Sequence, residues 1–294
     1  MSMDINYELY KVFYHVVISL SFSEASKQLF ISQSAVSQSV KLLEKKLGST
    51  LFIRSTKQVQ LTPEGEILLR YIEPAINLIK RGEAQLMKSN ILGCKQLRIG
   101  VSDMICRYFL IHYLNQFHKK YPSVHIKITN QASTKCVDLL ETGQVDLIVI
   151  NYPNSLLPEK IKSITIHIFQ DVFIASQEYY PELMNRAISL KELLNYPILM
   201  LDRQSTTSEF LQHLFQQYQL ELVPEIELGR NDLLIDLANI GFGIAFVPDY
   251  CLNSTKGLFQ LHITEPLPTR KLVIAHNAYL PLSKAAKTFI QSFS

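Results

Sequence analysis

Hydrophobic residues in the first fifty positions recur with the spacing of amphipathic helices. Over residues 6–19 they fall at i, i+3, i+4, i+7 and i+8, which puts them on one face of a helix. The segment Ser21-Phe22-Ser23-Glu24 is a candidate capping box for a second, shorter helix. Ser32 is a candidate N-cap for a third helix from Gln33 to Leu47, which Gly48 would end. Two short helices joined by a tight turn indicate a helix-turn-helix.

The third predicted helix has a polar, net-basic face that suits DNA. Small serine side chains let a helix approach base edges, Gln38 can form paired hydrogen bonds with adenine, and Lys41 can neutralise a phosphate. The same composition is typical of any solvent-exposed helix face, so that face alone leaves both interpretations open.

A basic hairpin and a long helix follow. Leu51–Arg54 and Val59–Leu61 are predicted as two strands of a wing, from which Arg54 and Lys57 would reach a phosphate or the minor groove. Pro63 then opens a helix whose apolar residues over 64–88 are spaced mostly by three or four. Pro74 removes a backbone donor inside this helix and is expected to kink or break it near Glu73.

Beyond residue 95 short apolar runs alternate with helical periodicity. Strands are predicted at 96–101, 124–129, 146–150, 164–169, 172–176, 198–201, 244–247, 258–263 and 271–276, with an extended segment at 225–228. Helices are predicted at 107–121, 134–142, 189–194, 208–218, 232–240 and 283–292. Such runs are typical of buried strands between helices. We therefore expect an α/β domain of two doubly wound lobes, with a ligand crevice at the carboxyl ends of the strands.

Composition narrows the class of protein. The 294 residues are 47% hydrophobic, which excludes a mainly disordered chain. The net charge of +3 is unevenly distributed, because residues 1–95 hold 12 Lys and Arg against 8 Asp and Glu, whereas the rest hold 17 against 18. This asymmetry is a hint that the first third contacts nucleic acid. No secretory signal or membrane span is evident, so a cytoplasmic protein without membrane contact is expected.

No metal or redox site is expected. The four cysteines are scattered, without a Cys-x-x-Cys pair, and the eight histidines form no His-x3-His or His-Glu-x-x-His pair. Buried, reduced thiols are the preferred interpretation, and neither a metal nor a cofactor is predicted.

The run from Phe22 to Leu69 resembles the signature of the LysR-type transcriptional regulators over almost its whole length. It contains SFSEASKQLFISQSAVSQSVKLLEKKLGSTLFIR and then VQLTPEGEILL. The resemblance implies that Ser32, Ser34, Ala35, Ser37 and Gln38 lie at the DNA-facing start of the recognition helix, with Arg54 in the wing. It also implies a homodimer or homotetramer on a double-stranded operator, with RNA polymerase as a partner.

The resemblance further implies a mixed architecture of three parts. These are a winged helix-turn-helix at 1–62, a linker and dimerisation helix at 63–92, and a two-lobed effector domain at 93–294 like a type-II periplasmic binding protein. Lobe I would comprise about 93–163 and 268–294, and lobe II about 164–267, with crossings near Ser163–Ile166 and Glu265–Arg270. The linker helix would pair with its twin, although the apolar pattern also fits packing on its own domain.

Candidate effector ligands follow strands at several places. Helix N-termini with hydroxyl or amide caps bind carboxylates and other anions, but every helix also needs ordinary caps. The candidates are Ser102, Asp103, Ser133, Thr134, Arg203, Ser205, Thr206 and Asn231, with Val247 in the wall. Because Asp103 would repel an anion or bind an amino group, and Arg203 could balance it, we expect a small polar anion or a zwitterion.

Two other classes use the same crevice, namely an α/β enzyme and a cytoplasmic small-molecule-binding protein. Gly241-x-Gly243 lies between a predicted helix and a strand and lacks a third glycine, so it is a poor dinucleotide motif. Neither a G-x-S-x-G motif nor a P-loop is present, and no catalytic residue is predicted. A lone binding protein would leave the first 90 residues unexplained. A ligand-controlled regulator is therefore preferred, and an enzyme is not.

Overall fold

The computed structural model describes residues 4–54, 59–88, 95–158, 161–202, 205–229, 231–254 and 256–293. The chain divides into two compact units, Met1–Ile91 and Leu92–Ser294. Within the described part, no helix combines the length and the apolar character that crossing a bilayer requires.

The first unit is a winged helix-turn-helix followed by a long helix, as the sequence predicts. Its elements are α1 (Tyr7–Ser19), α2 (Phe22–Leu29), α3 (Gln33–Leu47), β1 (Phe52–Arg54), β2 (Val59–Leu61) and α4 (Pro63–Lys88). Ser21 and Ser32 accept hydrogen bonds from the backbone N–H groups of Glu24 and Ala35, and so cap α2 and α3. Gly48 ends α3 in the left-handed conformation.

The long helix α4 runs through Pro74 without ending. The break that the sequence analysis allows near this proline is therefore absent. Proline removes one backbone donor, while the hydrogen bonds of the neighbouring turns remain. Packing holds the first turns as well, since Leu68, Leu69 and Ile72 lie against the core of the unit.

The second unit is an α/β domain, as predicted. Its strands are β3 (Lys95–Val101), β4 (Val124–Asn130), β5 (Leu147–Tyr152), β6 (Ile161–Ser176), β7 (Ala187–Ile188), β8 (Ile198–Leu201), β9 (Ile226–Leu228), β10 (Ile244–Pro248), β11 (Leu258–Gln260), β12 (His262–Ile263) and β13 (Thr269–Asn277). Its helices are α5 (Asp103–Ile105), α6 (Ile111–Lys120), α7 (Ser133–Glu141), α8 (Leu190–Leu193), α9 (Thr206–Gln217), α10 (Asn231–Asn239) and α11 (Lys284–Gln291). The main sheet has the order β4-β3-β5-β13-β6-β10-β8-β9, and β11 adds to β6.

The strand β6 belongs to both halves of this sheet. Ile161–Gln170 pairs with β13, whereas Asp171–Ile174 pairs with β10. The change of partner therefore lies at Gln170/Asp171, later in the chain than the crossing expected at Ser163–Ile166. The sequence analysis also splits this strand into two, because the polar pair Gln170-Asp171 interrupts its apolar pattern, but pairing on both sides keeps the backbone extended.

Two of the other differences from the sequence prediction change how a segment divides into elements. The helix expected at 107–121 starts earlier, as α5, and passes through a π-helical segment at Cys106–Leu110 before α6. The strand expected at 258–263 is two short strands, because β11 pairs with β6 and β12 pairs with β7. Ser102 caps a helix that begins four residues before the predicted start, and strand pairing, which local periodicity does not show, divides 258–263.

Candidate nucleic-acid interface and effector cleft

The outer face of α3 presents polar side chains at its start. Ser32 and Ser34 are exposed, and their hydroxyls lie 2.9 Å apart. Gln38 and Lys41 are exposed, whereas Ala35 and Ser37 are half-buried. The opposite face anchors the helix, since Val36, Val40 and Leu43 are fully buried. The six predicted DNA-binding residues of α3 therefore lie away from the core face of one helix.

The wing is a short antiparallel hairpin joined to α3 by a carboxylate. Phe52 pairs with Leu61 and Arg54 with Val59. The side chain of Arg54 and the whole of Lys57 lie outside the described residues. At the base of the hairpin, Glu44 of α3 accepts hydrogen bonds from the backbone N–H groups of Leu51 and Phe52, at 2.8 and 3.4 Å. No pattern in the sequence predicts these hydrogen bonds, because Glu44 is one of several charged residues on the helix.

A cavity of about 60 Å³ lies at the carboxyl ends of the strands in the second unit. The described residues lining it are Ser102, Met104, Ile105, Ala132, Ser133, Asn151, Leu201, Asp202, Ser205, Thr206, Thr207, Gly229, Pro248 and Tyr250. These residues lie in the last positions of β3, β4, β5, β8, β9 and β10 or just beyond them, so both halves of the sheet contribute to one site. We call this site the cleft.

Four of the predicted effector residues line the cleft, namely Ser102, Ser133, Ser205 and Thr206. Three others do not: Asp103 is exposed, Thr134 is half-buried, and Val247 is fully buried beside Pro248, which does line the cleft. Successive residues of a strand point to opposite sides, which separates Val247 from Pro248. Arg203 and the side chain of Asn231 lie outside the described residues.

Two buried polar groups in the cleft have no hydrogen-bond partner among the described residues. They are the Tyr250 hydroxyl and Oδ1 of Asn151, on side chains that are 9% and 7% exposed. Burial raises the pKa of Tyr250 well above its ordinary value, so the phenol keeps its proton and can donate it. An unpaired buried polar group costs free energy, and a ligand in the cleft would relieve that cost.

Helix N-termini supply further polar groups. Ser205 caps α9 by accepting a hydrogen bond from the backbone N–H of Thr207, and the hydroxyl of Ser102 accepts one from Ile105. An N-terminus carries a partial positive charge, so the start of α9 favours an anion in the cleft.

A fully buried ion pair lies behind the start of α9. Nη1 of Arg270 donates to Asp171 at 2.7 Å and to the hydroxyl of Thr207 at 3.2 Å, and Nη2 lies 3.5 Å from the hydroxyl of Thr206. Burial raises the pKa of Asp171, and the guanidinium opposes that rise.

Sequence reasoning missed several residues at this site. Asn151 and Thr207 follow or adjoin predicted elements, so the rule that selected Ser102 and Thr206 could also have selected them. Tyr250 and Arg270 carry no local signal, because they reach the site through a turn and a distant strand.

No group of three or more His, Cys, Asp or Glu side chains in the described ranges is arranged to hold a metal ion. Burial raises the pKa of the Cys136 thiol to about 12, and burial also raises the pKa of Cys251 and of Cys106. These thiols keep their protons at neutral pH, which makes them poor nucleophiles.

A winged helix-turn-helix joined to an α/β domain with a polar cleft defines a ligand-responsive DNA-binding regulator. The comparisons with known proteins give the family. Residues 7–66 match the bacterial regulatory helix-turn-helix protein model of the lysR family, and residues 92–294 match the LysR substrate binding domain. The chain belongs to the LysR family of transcriptional regulators, and it is a DNA-binding regulator with an effector-binding domain rather than an enzyme.

Individual relatives cover nearly the whole chain. The transcriptional activator CmpR of Synechocystis is 25% identical over 287 residues, which span 96% of this chain and 92% of CmpR. The structure of full-length CbnR complexed with its target DNA has a TM-score of 0.68 at 16% identity, with 98% of each chain covered. The regulatory domain of Synechocystis CcmR in complex with 2-PG has a TM-score of 0.61 at 23% identity, covering 68% of this chain and 95% of that one. At these identities the two structures establish a shared fold.

Proposed function

We propose that this regulator reads an operator with α3 and responds to a small polar anion or zwitterion in the cleft. The observation that carries the effector class is the set of hydroxyl groups and helix N-termini around two unpartnered polar groups, Asn151 Oδ1 and the Tyr250 hydroxyl. Ser102, Ser133, Ser205 and Thr206 are the proposed ligands within the predicted set. The structure of the CcmR regulatory domain in complex with 2-PG supports a small-molecule effector for a domain of this fold.

On DNA, Gln38 is proposed to read a base edge and Lys41 to contact a phosphate. Ser32, Ser34, Ala35 and Ser37 would lie against the groove, while Arg54 and Lys57 act from the wing. Support comes from the polar face of α3, which is exposed because the opposite face of the helix is buried in the core. The site of action is the cytoplasm, where bacterial operator DNA lies.

The proposed assembly is a dimer, or a pair of dimers, formed through α4. Four large apolar side chains of α4 are 56% to 74% exposed, which is costly for an isolated helix in water. They are Ile67, Tyr71, Ile79 and Leu86. A twin helix would cover them and set two recognition helices one helical turn of DNA apart. Binding of effector would shift the population of arrangements of this assembly and so change its contact with RNA polymerase.

The DNA assignment is tested by selecting bound sequences from a random duplex library with the full-length protein. Gln38→Ala should change the preferred bases at one position, with a loss of about 1–3 kcal/mol for the original site. Lys41→Ala and Arg54→Ala should weaken binding to all sequences and lower the slope of log K against log salt by about 0.9 for each phosphate that the protein no longer neutralises. Equal effects of all three substitutions on every sequence would contradict these roles.

The effector assignment is tested by calorimetric titration of the full-length protein with small anions, amino acids and neutral aromatic compounds. We expect heat only from the charged compounds, with 2-PG as one member of the panel. A response confined to neutral apolar or aromatic compounds would overturn the effector class and leave the DNA-binding role intact.

A further inference from the structure

The buried pair of Arg270 and Asp171 joins the two long strands of the second unit. Asp171 lies in β6 at the position where this strand changes partner, and Arg270 lies in β13. The side chain of Arg270 is 1% exposed and that of Asp171 is not exposed at all. Burying two charges costs free energy, so we expect a buried pair beside the cleft to contribute to ligand binding.

Contacts of Arg270 with α9 extend its influence to the cleft. Its guanidinium donates to the hydroxyl oxygen of Thr207 and lies 3.5 Å from that of Thr206. A guanidinium has donors and no acceptor, so each hydroxyl oxygen accepts a hydrogen bond from Arg270 and can donate its own hydrogen to another acceptor. Thr206 and Thr207 both line the cleft, so their O–H groups can donate hydrogen bonds to a ligand that carries only acceptors, such as a carboxylate.

Aromatic rings fix the guanidinium in this position. It lies 4.7 Å from the ring centroid of Phe210 and 5.6 Å from that of Phe169, both within the range of a cation–π interaction. The ion pair is formed through one nitrogen and one oxygen, since Nε of Arg270 and Oδ1 of Asp171 have no partner among the described residues. Because the pair is not bidentate, both terminal nitrogens remain directed toward the start of α9.

The cleft itself has the chemistry of a site for a small oxyanion. Its described lining contains five aliphatic hydroxyl groups, the Tyr250 phenol and the carboxylate of Asp202, and it contains no Lys or Arg. That carboxylate opposes an anion, so selectivity for a negative charge must come from oriented hydrogen-bond donors and from the partial positive charge at the N-terminus of α9. A volume of about 60 Å³ suits a ligand of a few non-hydrogen atoms.

We propose that Arg270 is a positioning residue that makes the cleft selective for a small carboxylate or similar oxyanion by orienting the Thr206 and Thr207 hydroxyls from behind. This inference rests on the proposed anionic effector and adds the source of its selectivity. Arg270 does not touch the ligand; the two hydroxyls and the N-terminus of α9 do.

The test compares acetate with acetamide, a neutral molecule of nearly the same shape, by calorimetric titration of the full-length protein. The variant is Asp171→Leu with Arg270→Met, which replaces the buried pair by apolar side chains and avoids leaving a lone buried charge. We expect the wild type to bind acetate at least about tenfold more tightly than acetamide, and the double variant to lose that ratio while its affinity for acetamide is unchanged. Thr206→Val and Thr207→Val should each reduce the ratio as well.

A matched control uses a second ion pair of the unit, in which the carboxylate is buried and the guanidinium is half-buried. Arg98 lies in the middle of β3 and Asp146 directly before β5, their side chains are 2.9 Å apart, and neither residue lines the cleft. Arg98→Met with Asp146→Leu should alter the thermal midpoint and keep the ratio of acetate to acetamide affinity. This separates loss of a structural ion pair from loss of ligand selectivity.

Each outcome is decisive. If the wild type prefers acetate and the Asp171→Leu, Arg270→Met variant keeps that preference, the role of Arg270 is overturned and the anionic effector stands. If the wild type does not prefer acetate, this inference falls, and the titration with anions, amino acids and neutral compounds decides the effector class separately. If the control variant also loses the ratio, the effect belongs to general destabilisation and the inference fails.

Discussion

Removal of the Glu44 carboxylate should detach the wing from the recognition helix. Oε1 of Glu44 accepts hydrogen bonds from the N–H groups of Leu51 and Phe52, whose residues are 1% and 2% exposed. In Glu44→Ala these two donors stay buried, and water cannot readily replace the missing acceptor. The first unit should lose stability, and the base of the hairpin should open more often.

The magnitude follows from the two distances. A hydrogen bond to a charged acceptor contributes about 1.5–3 kcal/mol, and the 2.8 Å bond to Leu51 is counted in full. The bond to Phe52, at 3.4 Å, adds only a fraction because hydrogen bonds weaken with distance. The expected loss in the free energy of unfolding is about 2 kcal/mol. For a unit of this size that lowers the thermal midpoint by roughly 8–16 °C.

Two measurements check this result. Circular dichroism at 222 nm follows the melting of the helices, since the chain has no tryptophan to report by fluorescence. Amide hydrogen exchange at Leu51 and Phe52 reports opening at the link itself. Glu83→Ala, which removes an exposed carboxylate of α4, is the matched control and should change stability by less than about 0.5 kcal/mol. Unchanged exchange at Leu51 in Glu44→Ala would refute the reasoning.

Two further predictions concern packing and pH. Gly65→Ala places a methyl group 2.3 Å from the carbonyl oxygen of Leu51, so we expect a loss of about 1–3 kcal/mol in urea denaturation. Gly82→Ala adds a methyl group that meets no atom within 4 Å and should instead gain up to about 1 kcal/mol, because alanine favours a helix; equal midpoints for the two variants would contradict the contact. Burial raises the pKa of Cys136 to about 12, above its ordinary value, so above pH 9 the unfolded chain releases a proton that the folded chain keeps. The stabilisation that the buried, protonated thiol contributes is complete below pH 9 and falls by about 1.4 kcal/mol per pH unit above it. The free energy of unfolding of Cys136→Ala should therefore decline less steeply between pH 9 and 10.5 than that of the wild type, and parallel curves for the two proteins would rule this out.

The N-terminal unit could be predicted from the sequence almost element by element. Its helices are short-range structures, each with a cap and an apolar stripe, so residues within one helix carry the information. Ser32 and Gly48 bound α3 in the sequence and in the structure alike. The wing strands followed from two short apolar segments on either side of a basic turn, whereas Glu44 was missed because its partners lie beyond the end of its own helix.

The cleft could be predicted only in part. Ser102, Ser133, Ser205 and Thr206 follow strands in the sequence, and the general rule for α/β folds brings such positions to one edge of a sheet. The same rule also selected Asp103, Thr134 and Val247, because the pattern does not tell which way a residue just after a strand points. The sequence prediction at Pro74 fails for a related reason. Proline disfavours the interior of a helix, but the hydrogen bonds of the surrounding turns keep α4 continuous through it.

Local patterns in the sequence were enough to predict the class of protein, the order of most helices and strands, and the polar face of α3, since periodicity and caps act over a few residues. The packing of the folded chain sets where β6 changes partner, which hydroxyls share a cavity, and which two of them Arg270 contacts. Asp171, Thr207 and Arg270 are far apart in the chain and meet because strand pairing and burial bring them together. Long-range contacts of this kind leave no periodic trace in the sequence, so no local pattern can reveal them.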